Sequence, residues 1–224
     1  FSYAVNPYFP SMLNYCFMKL VSYVSLNSRI MLVASRLCSV ISITFCCYFC
    51  LRIGKILFRD RLSPLLFATI VCLTPQFLGM YHNNDSLGLA SVSAIIYFTI
   101  LNCLSKWEYK HCFCLAVAYS VCMITYYNEW AWILASGLFT LYKIYKDDTV
   151  ENKIDFILWR ILCILSTVAV LTGWYFVRNA MLYNGDFLGL VNGYNMSRLA
   201  MEGQGLKTLY IGDAMYRKGI SFIN

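Results

Sequence analysis

Long apolar runs broken by short polar clusters constrain this chain more than any other feature. The runs are Arg36 to Gly54, Pro64 to Tyr81, Ser86 to Leu104, His111 to Tyr127, Trp130 to Tyr145 and Phe156 to Val177. An α-helix rises 1.5 Å per residue, so about 20 apolar residues cross the hydrocarbon of a bilayer. Composition agrees. Of the 224 residues 60% are hydrophobic and 13% charged, where a soluble domain carries about 25% charged residues. The reading is an all-α, polytopic transmembrane helix bundle of about six spans, over residues 36–177. Residues 1–35 form the end of an external loop with an interfacial helix, and 178–224 form a second external loop leading to a further C-terminal part.

Two stretches leave alternatives. Residues 111–145 fit a hairpin of two shortish helices turning at Asn128, or one long tilted helix that buries Glu129 at the cost of a carboxylate in lipid. Residues 11–26 are apolar but interrupted by Asn14, Lys19 and Ser22. They suit an interfacial helix on the outer leaflet better than a span, and if they do span, the N-terminus changes sides.

Lys and Arg set the orientation. The connections 52–63, 105–110 and 143–155 hold nine of the eighteen basic residues, and 82–85 and 128–129 hold none. The positive-inside rule puts the first set in the cytoplasm of a multi-pass plasma-membrane protein. Trp107, Tyr109, Tyr142 and Tyr145 then form an inner aromatic belt, and Tyr81, Tyr126, Tyr127, Trp130, Trp132, Trp174 and Tyr175 an outer one. Arg29 and Arg36 fall outside, against the rule, which an anionic ligand or head group would explain. The net charge of +7 follows from the cytoplasmic loops and calls for no nucleic acid. The eleven cysteines lie mostly within apolar runs as small hydrophobes, and neither the C-C-x-x-C at Cys46 nor the C-x-C at Cys112 has zinc-site spacing.

Three polar clusters gather on the outer face. In Tyr81-His82-Asn83-Asn84-Asp85-Ser86, Asp85 is a natural helix cap, yet the run is rich in groups that bind hydroxyls. In Tyr126-Tyr127-Asn128-Glu129-Trp130, Glu129 either faces water beside an aromatic anchor or lines a cavity. In Trp174 to Asn179, Arg178 either snorkels or pairs with phosphate, whose oxygens a guanidinium matches with two hydrogen bonds. A short helix is expected near Met196 to Met201. No phosphate-binding glycine loop and no Ser/His/Asp grouping is present.

Pro75 to Gly88 (PQFLGMYHNNDSLG) resembles the P…NNDxL stretch of GT-C superfamily polytopic glycosyltransferases. Trp174 to Leu190 (WYFVRNAMLYNGDFLGL) is similar to their W…RN…YGDPLG stretch. Asn6-Pro7-Tyr8-Phe9-Pro10 stands where that group often has His-Pro-Pro-Leu-Tyr, with Asn for the His and one of the paired prolines kept. The likeness is greatest to the bacterial branch near the protein mannosyltransferases and aminoarabinose transferases. It implies transfer of a sugar from a polyprenyl-phosphate donor to an acceptor outside the membrane, with the catalytic acid in a first external loop that would precede Phe1. By position it implies that Asp85 assists the acceptor or a divalent metal, that Arg178 holds the donor phosphate, and that His82, Asn83, Asn84, Glu129 and Asn179 line the substrate site. A transporter or flippase of lipid-linked precursors and a non-catalytic scaffold are the competing classes. Arg160, the main charge within the spans, sits near a cytoplasmic end, which disfavours a pump.

Overall fold

The computed structural model describes residues Pro7, 9–73, 85–147 and 152–191, together with Asn195 and Leu199. The chain divides into two compact units, Pro7–Tyr175 and the part from Phe176 onward with the first six residues. Among the described residues the only regular structure is helical. In chain order the helices are α1 (Phe9–Ser22), α2 (Ser28–Leu57), α3 (Ser63–Leu73), α4 (Asp85–Leu104), α5 (Tyr109–Thr125), α6 (Trp130–Lys146) and α7 (Lys153–Leu182), with one 3₁₀ turn, Tyr127–Glu129, before α6.

Three of these, α2, α4 and α7, are long and apolar enough to cross a membrane. That is half the number expected from the runs. The difference lies in where helices stop. α5 and α6 have 17 residues each, and α3 has 11 over Ser63–Leu73; the rest of its expected span lies outside the described residues. The long helices overrun their expected limits instead. α2 begins at Ser28, not Arg36, because Asn27 caps it: Arg29 N donates to Asn27 Oδ1 at 2.9 Å. Arg29 is thus a helical residue rather than a loop residue, and Arg36 lies within the helix rather than at its start. α7 likewise runs past Val177 to Leu182. α1 closes at Ser22, whose hydroxyl donates to Lys19 O at 2.7 Å. The elbow that follows leaves Tyr23, Val24 and Leu26 76%, 90% and 82% exposed.

The hairpin at Asn128 is present. Tyr126 takes an extended conformation (φ −154°, ψ 119°) that ends α5, and the 3₁₀ turn reverses the chain into α6. One long helix over 111–145 is therefore ruled out.

α4 is the central helix, packed against α2, α5 and α6. Its buried face carries Ser86, Gly88, Ala90, Ser91, Ser93 and Ala94, small residues that let helix backbones approach closely. Ile95 of α4 meets Leu115, Tyr119 and Cys122 of α5 in one core cluster. Cys46 and Cys50 fill another with Ala68 and Ala90, as small apolar groups. A buried hydroxyl chain links three helices. Ser136 Oγ of α6 lies 2.6 Å from Thr99 Oγ1 of α4 and 2.8 Å from Tyr119 OH of α5. Ser136→Ala removes the shared partner and leaves the Tyr119 hydroxyl short of it. A loss of about 1–2 kcal/mol is expected, read as a lower unfolding midpoint in detergent; an unchanged midpoint would show the chain to be energetically idle.

The opposite end of the first unit holds the basic connections. Trp107, expected in an interfacial belt, is instead 3% exposed and packs with Cys112 and Ile144. Lys106 and Trp107 take left-handed φ values of 52° and 59° to close the α4–α5 turn. Arg160 holds it there. Its Nε donates to Trp107 O at 3.4 Å, and its guanidinium lies 3.8 Å from the Phe156 ring centre. Arg52 at the end of α2 donates to Tyr97 OH at 3.1 Å.

Candidate functional site

Asp85 and Glu129 come together at the end of the first unit away from those basic turns. Asp85 is the first residue of α4, where a carboxylate meets the positive end of the helix dipole. Glu129 closes the 3₁₀ turn, which is held on both sides. Glu129 N donates to Tyr126 O at 3.2 Å, and Trp130 Nε1 donates to Met123 O at 3.3 Å. The Tyr127 and Trp130 rings meet edge to face with centres 5.2 Å apart.

Gly88 supplies the seat. A Cβ built there would lie 3.2 Å from Glu129 Cγ, 3.7 Å from Glu129 Oε1 and 3.6 Å from Tyr126 Cβ. The Glu129 side chain therefore lies in the notch that a missing side chain leaves on α4. Gly88 is three residues beyond Asp85, which puts both on one face of the helix. Burial first, and the Asp85 carboxylate second, lift the Glu129 carboxyl above its ordinary range. No lysine or arginine forms an ion pair with Glu129 among the described residues. Two half-buried carboxyl groups near enough to influence each other's charge can accept hydrogen bonds from hydroxyls or attract a cation. No third His, Cys, Asp or Glu completes a metal-ligand set among the described residues.

An apolar cleft of about 480 Å³ opens between α1, α2, α4 and α5, with Leu13, Phe17, Phe45, Leu87 and Val121 on its walls. Its size is that of a small-molecule pocket, and its lining suits hydrocarbon.

Neither a protein-family model, nor a curated protein, nor a solved structure matches the chain.

The remaining candidates are placed differently. His82, Asn83 and Asn84 lie outside the described residues. Arg178 and Asn179 belong to the second unit. Arg178 is exposed. Asn179 is 1% exposed, and its Nδ2 donates to Phe187 O at 3.2 Å. Beside it α7 ends in a Schellman-type closure: Asn184 takes φ 51° and Gly185 N donates to Ala180 O at 2.8 Å. Gly189, at φ 72°, approaches the Asn179 amide, which a Cβ would meet at 3.6 Å. Asn179 thus ties the turn after α7 to the helix, a structural task that its sequence context did not reveal. Gly88 and the Thr99–Ser136–Tyr119 chain were also missed. The signal for Gly88 was the run of small residues after Asp85.

Proposed function

We propose that this chain acts as a multi-pass plasma-membrane glycosyltransferase of the GT-C type, moving a sugar from a polyprenyl-phosphate donor to an acceptor on the outer face. The observation that carries the reading is Glu129 seated over Gly88 on the helix that Asp85 begins, because Asp85 falls within the stretch that resembles the P…NNDxL segment of those enzymes. The pair binds hydroxyls of the sugar or acceptor. The apolar cleft beside α4 offers room for a hydrocarbon chain. Arg178, exposed in the second unit, is the residue that the resemblance assigns to the donor phosphate. In this reading the six apolar runs span, with α3 the described part of the run Pro64 to Tyr81 and α5 and α6 at the lower limit of spanning length; α1 lies along the outer interface, and the basic turns face the cytoplasm.

The test measures cell-surface glycan by mass spectrometry in cells that depend on the full-length protein. Asp85→Asn, Glu129→Gln and Arg178→Ala are each expected to lower it at least about tenfold, the scale of losing one well-placed charged hydrogen bond. Wild-type glycan in all three would sink the proposal. A proton-coupled transporter of lipid-linked precursors is the second reading, favoured by the raised Glu129 carboxyl. Sugar transfer by the protein in detergent, where no gradient exists, separates the two.

A further inference from the structure

We infer that the exposed face of α2 near its N-terminus is a docking surface for anionic phospholipid head groups. Three observations carry it. First, the helix begins at Ser28, so Arg29 and Arg36 stand seven residues apart on one element. Seven residues are two turns, which places them about 20° apart around the axis and about 10 Å apart along it. Both are exposed, and neither forms an ion pair among the described residues. Second, no acidic residue precedes Asp60 in the chain, so α1, the elbow and α2 carry no carboxylate of their own, and Lys19 adds a further exposed cation on α1. Third, the same face of α2 continues as exposed Val33 and Val40, 61% and 49% accessible, and the adjoining elbow exposes Tyr23, Val24 and Leu26. Cations above an apolar strip match a phosphate head group above its acyl chains.

The spacing fits a bilayer. Arg36 and Arg52 are separated by about 24 Å of helix and Arg29 and Lys55 by about 39 Å, against a hydrocarbon core of about 30 Å and a full thickness of about 40–45 Å. Arg29 then lies at head-group depth and Arg36 at the hydrocarbon edge, within reach of the same phosphates by snorkelling. Positive charge at the end of α2 opposite Arg52 and Lys55 runs against the usual distribution of Lys and Arg, and an anionic lipid supplies its counter-charge.

The inference rests on the membrane reading and not on sugar transfer. Its test is native mass spectrometry of the full chain in detergent, titrated separately with phosphatidylglycerol and phosphatidylcholine. Phosphatidylglycerol is expected to bind more tightly, with an affinity that falls as salt rises. Each basic residue near a membrane surface contributes about a fivefold preference for anionic lipid, so R29Q/R36Q should lose about 25-fold in phosphatidylglycerol affinity and nothing in phosphatidylcholine affinity. R29K/R36K should retain most of the binding, and Lys146→Gln all of it. Equal binding of phosphatidylglycerol by wild type and R29Q/R36Q, or displacement of that lipid by submillimolar inorganic phosphate, would overturn the inference. If the double glutamine variant does not fold, the salt titration of wild type decides alone: salt-insensitive binding overturns it. Binding both lipids alike removes only the arginine surface; binding neither removes the membrane reading as well.

Discussion

Gly54→Ala is expected to destabilise the protein by about 1–2 kcal/mol, although alanine is the better helix former. A Cβ at Gly54 would stand 2.9 Å from Pro64 Cα and 3.3 Å from Pro64 O. Those are backbone atoms, so no side-chain rotation relieves the clash. The α2–α3 hairpin has little slack either. Asp60 Oδ2 accepts Ser63 N at 2.6 Å and Leu62 N at 3.0 Å, which fixes the turn, and Phe58 and Phe67 pack with ring centres 6.1 Å apart. Removing glycine from a helix interior gains about 0.8–1 kcal/mol. Overpacking a filled contact costs about 1–3 kcal/mol, and with backbone on the other side the upper part of that range applies. Gly54→Val exceeds it and separates α3 from α2. Gly137 and Gly173 provide the control, since a Cβ at either meets nothing within 4 Å. Gly137→Ala and Gly173→Ala should cost nothing. Thermal unfolding in detergent followed by circular dichroism reads all four variants, and equal midpoints for Gly54→Ala and Gly173→Ala would refute the close-contact argument.

The contrast among these glycines shows which features a sequence exposes. Apolar runs locate helices because lipid-facing or buried turns need apolar residues, and every expected run coincides with a helix among the described residues. Helix ends are another matter. The run from Arg36 marks the body of α2, but its first eight residues, Arg29 among them, fall in the expected external loop, because they mix polar and apolar residues and only the Asn27 cap fixes where the helix starts. The hairpin at Asn128 was legible because a mid-membrane glutamate is costly. Trp107 departs from the expected belt because such belts are a statistical habit, whereas packing with Cys112 and Ile144 decides where its ring lies. The chemistry of the candidate site was half legible. Asp85 and Glu129 stand out by type, but their closeness depends on Gly88 being bare where α4 meets the 3₁₀ turn, and that is a tertiary fact. Asn179 shows the reverse: its type suggested a ligand, and burial against Phe187 gives it a turn to hold.

A distinct pH signature of the fold should come from Glu129. Its carboxyl binds a proton more tightly folded than unfolded, because burial and then the Asp85 carboxylate disfavour its charged form. The folded state therefore gains from this group at pH below the ordinary glutamate range. That gain disappears as pH rises through the raised value. Asp60, held low by the Ser63 backbone N–H, and Glu108, held low by Lys110, act in the opposite sense, so the raw pH profile mixes the two kinds of group. Comparison with Glu129→Gln isolates the one of interest. Unfolding midpoints measured from pH 4 to 8 should converge for the two proteins at the acid end. At the neutral end the variant should be the more stable, since an uncharged amide escapes the penalty. Asp85→Asn should remove the smaller, electrostatic part of the difference and leave the larger part that burial causes. Gly88→Ala tests the seat itself. Glu129 is a flexible side chain and can swing away from the single new methyl, so the carboxyl should move toward water and its titration toward the ordinary range. Superimposable profiles for wild type and Glu129→Gln would mean that the carboxylate is already solvated, and the notch over Gly88 would lose its chemical meaning.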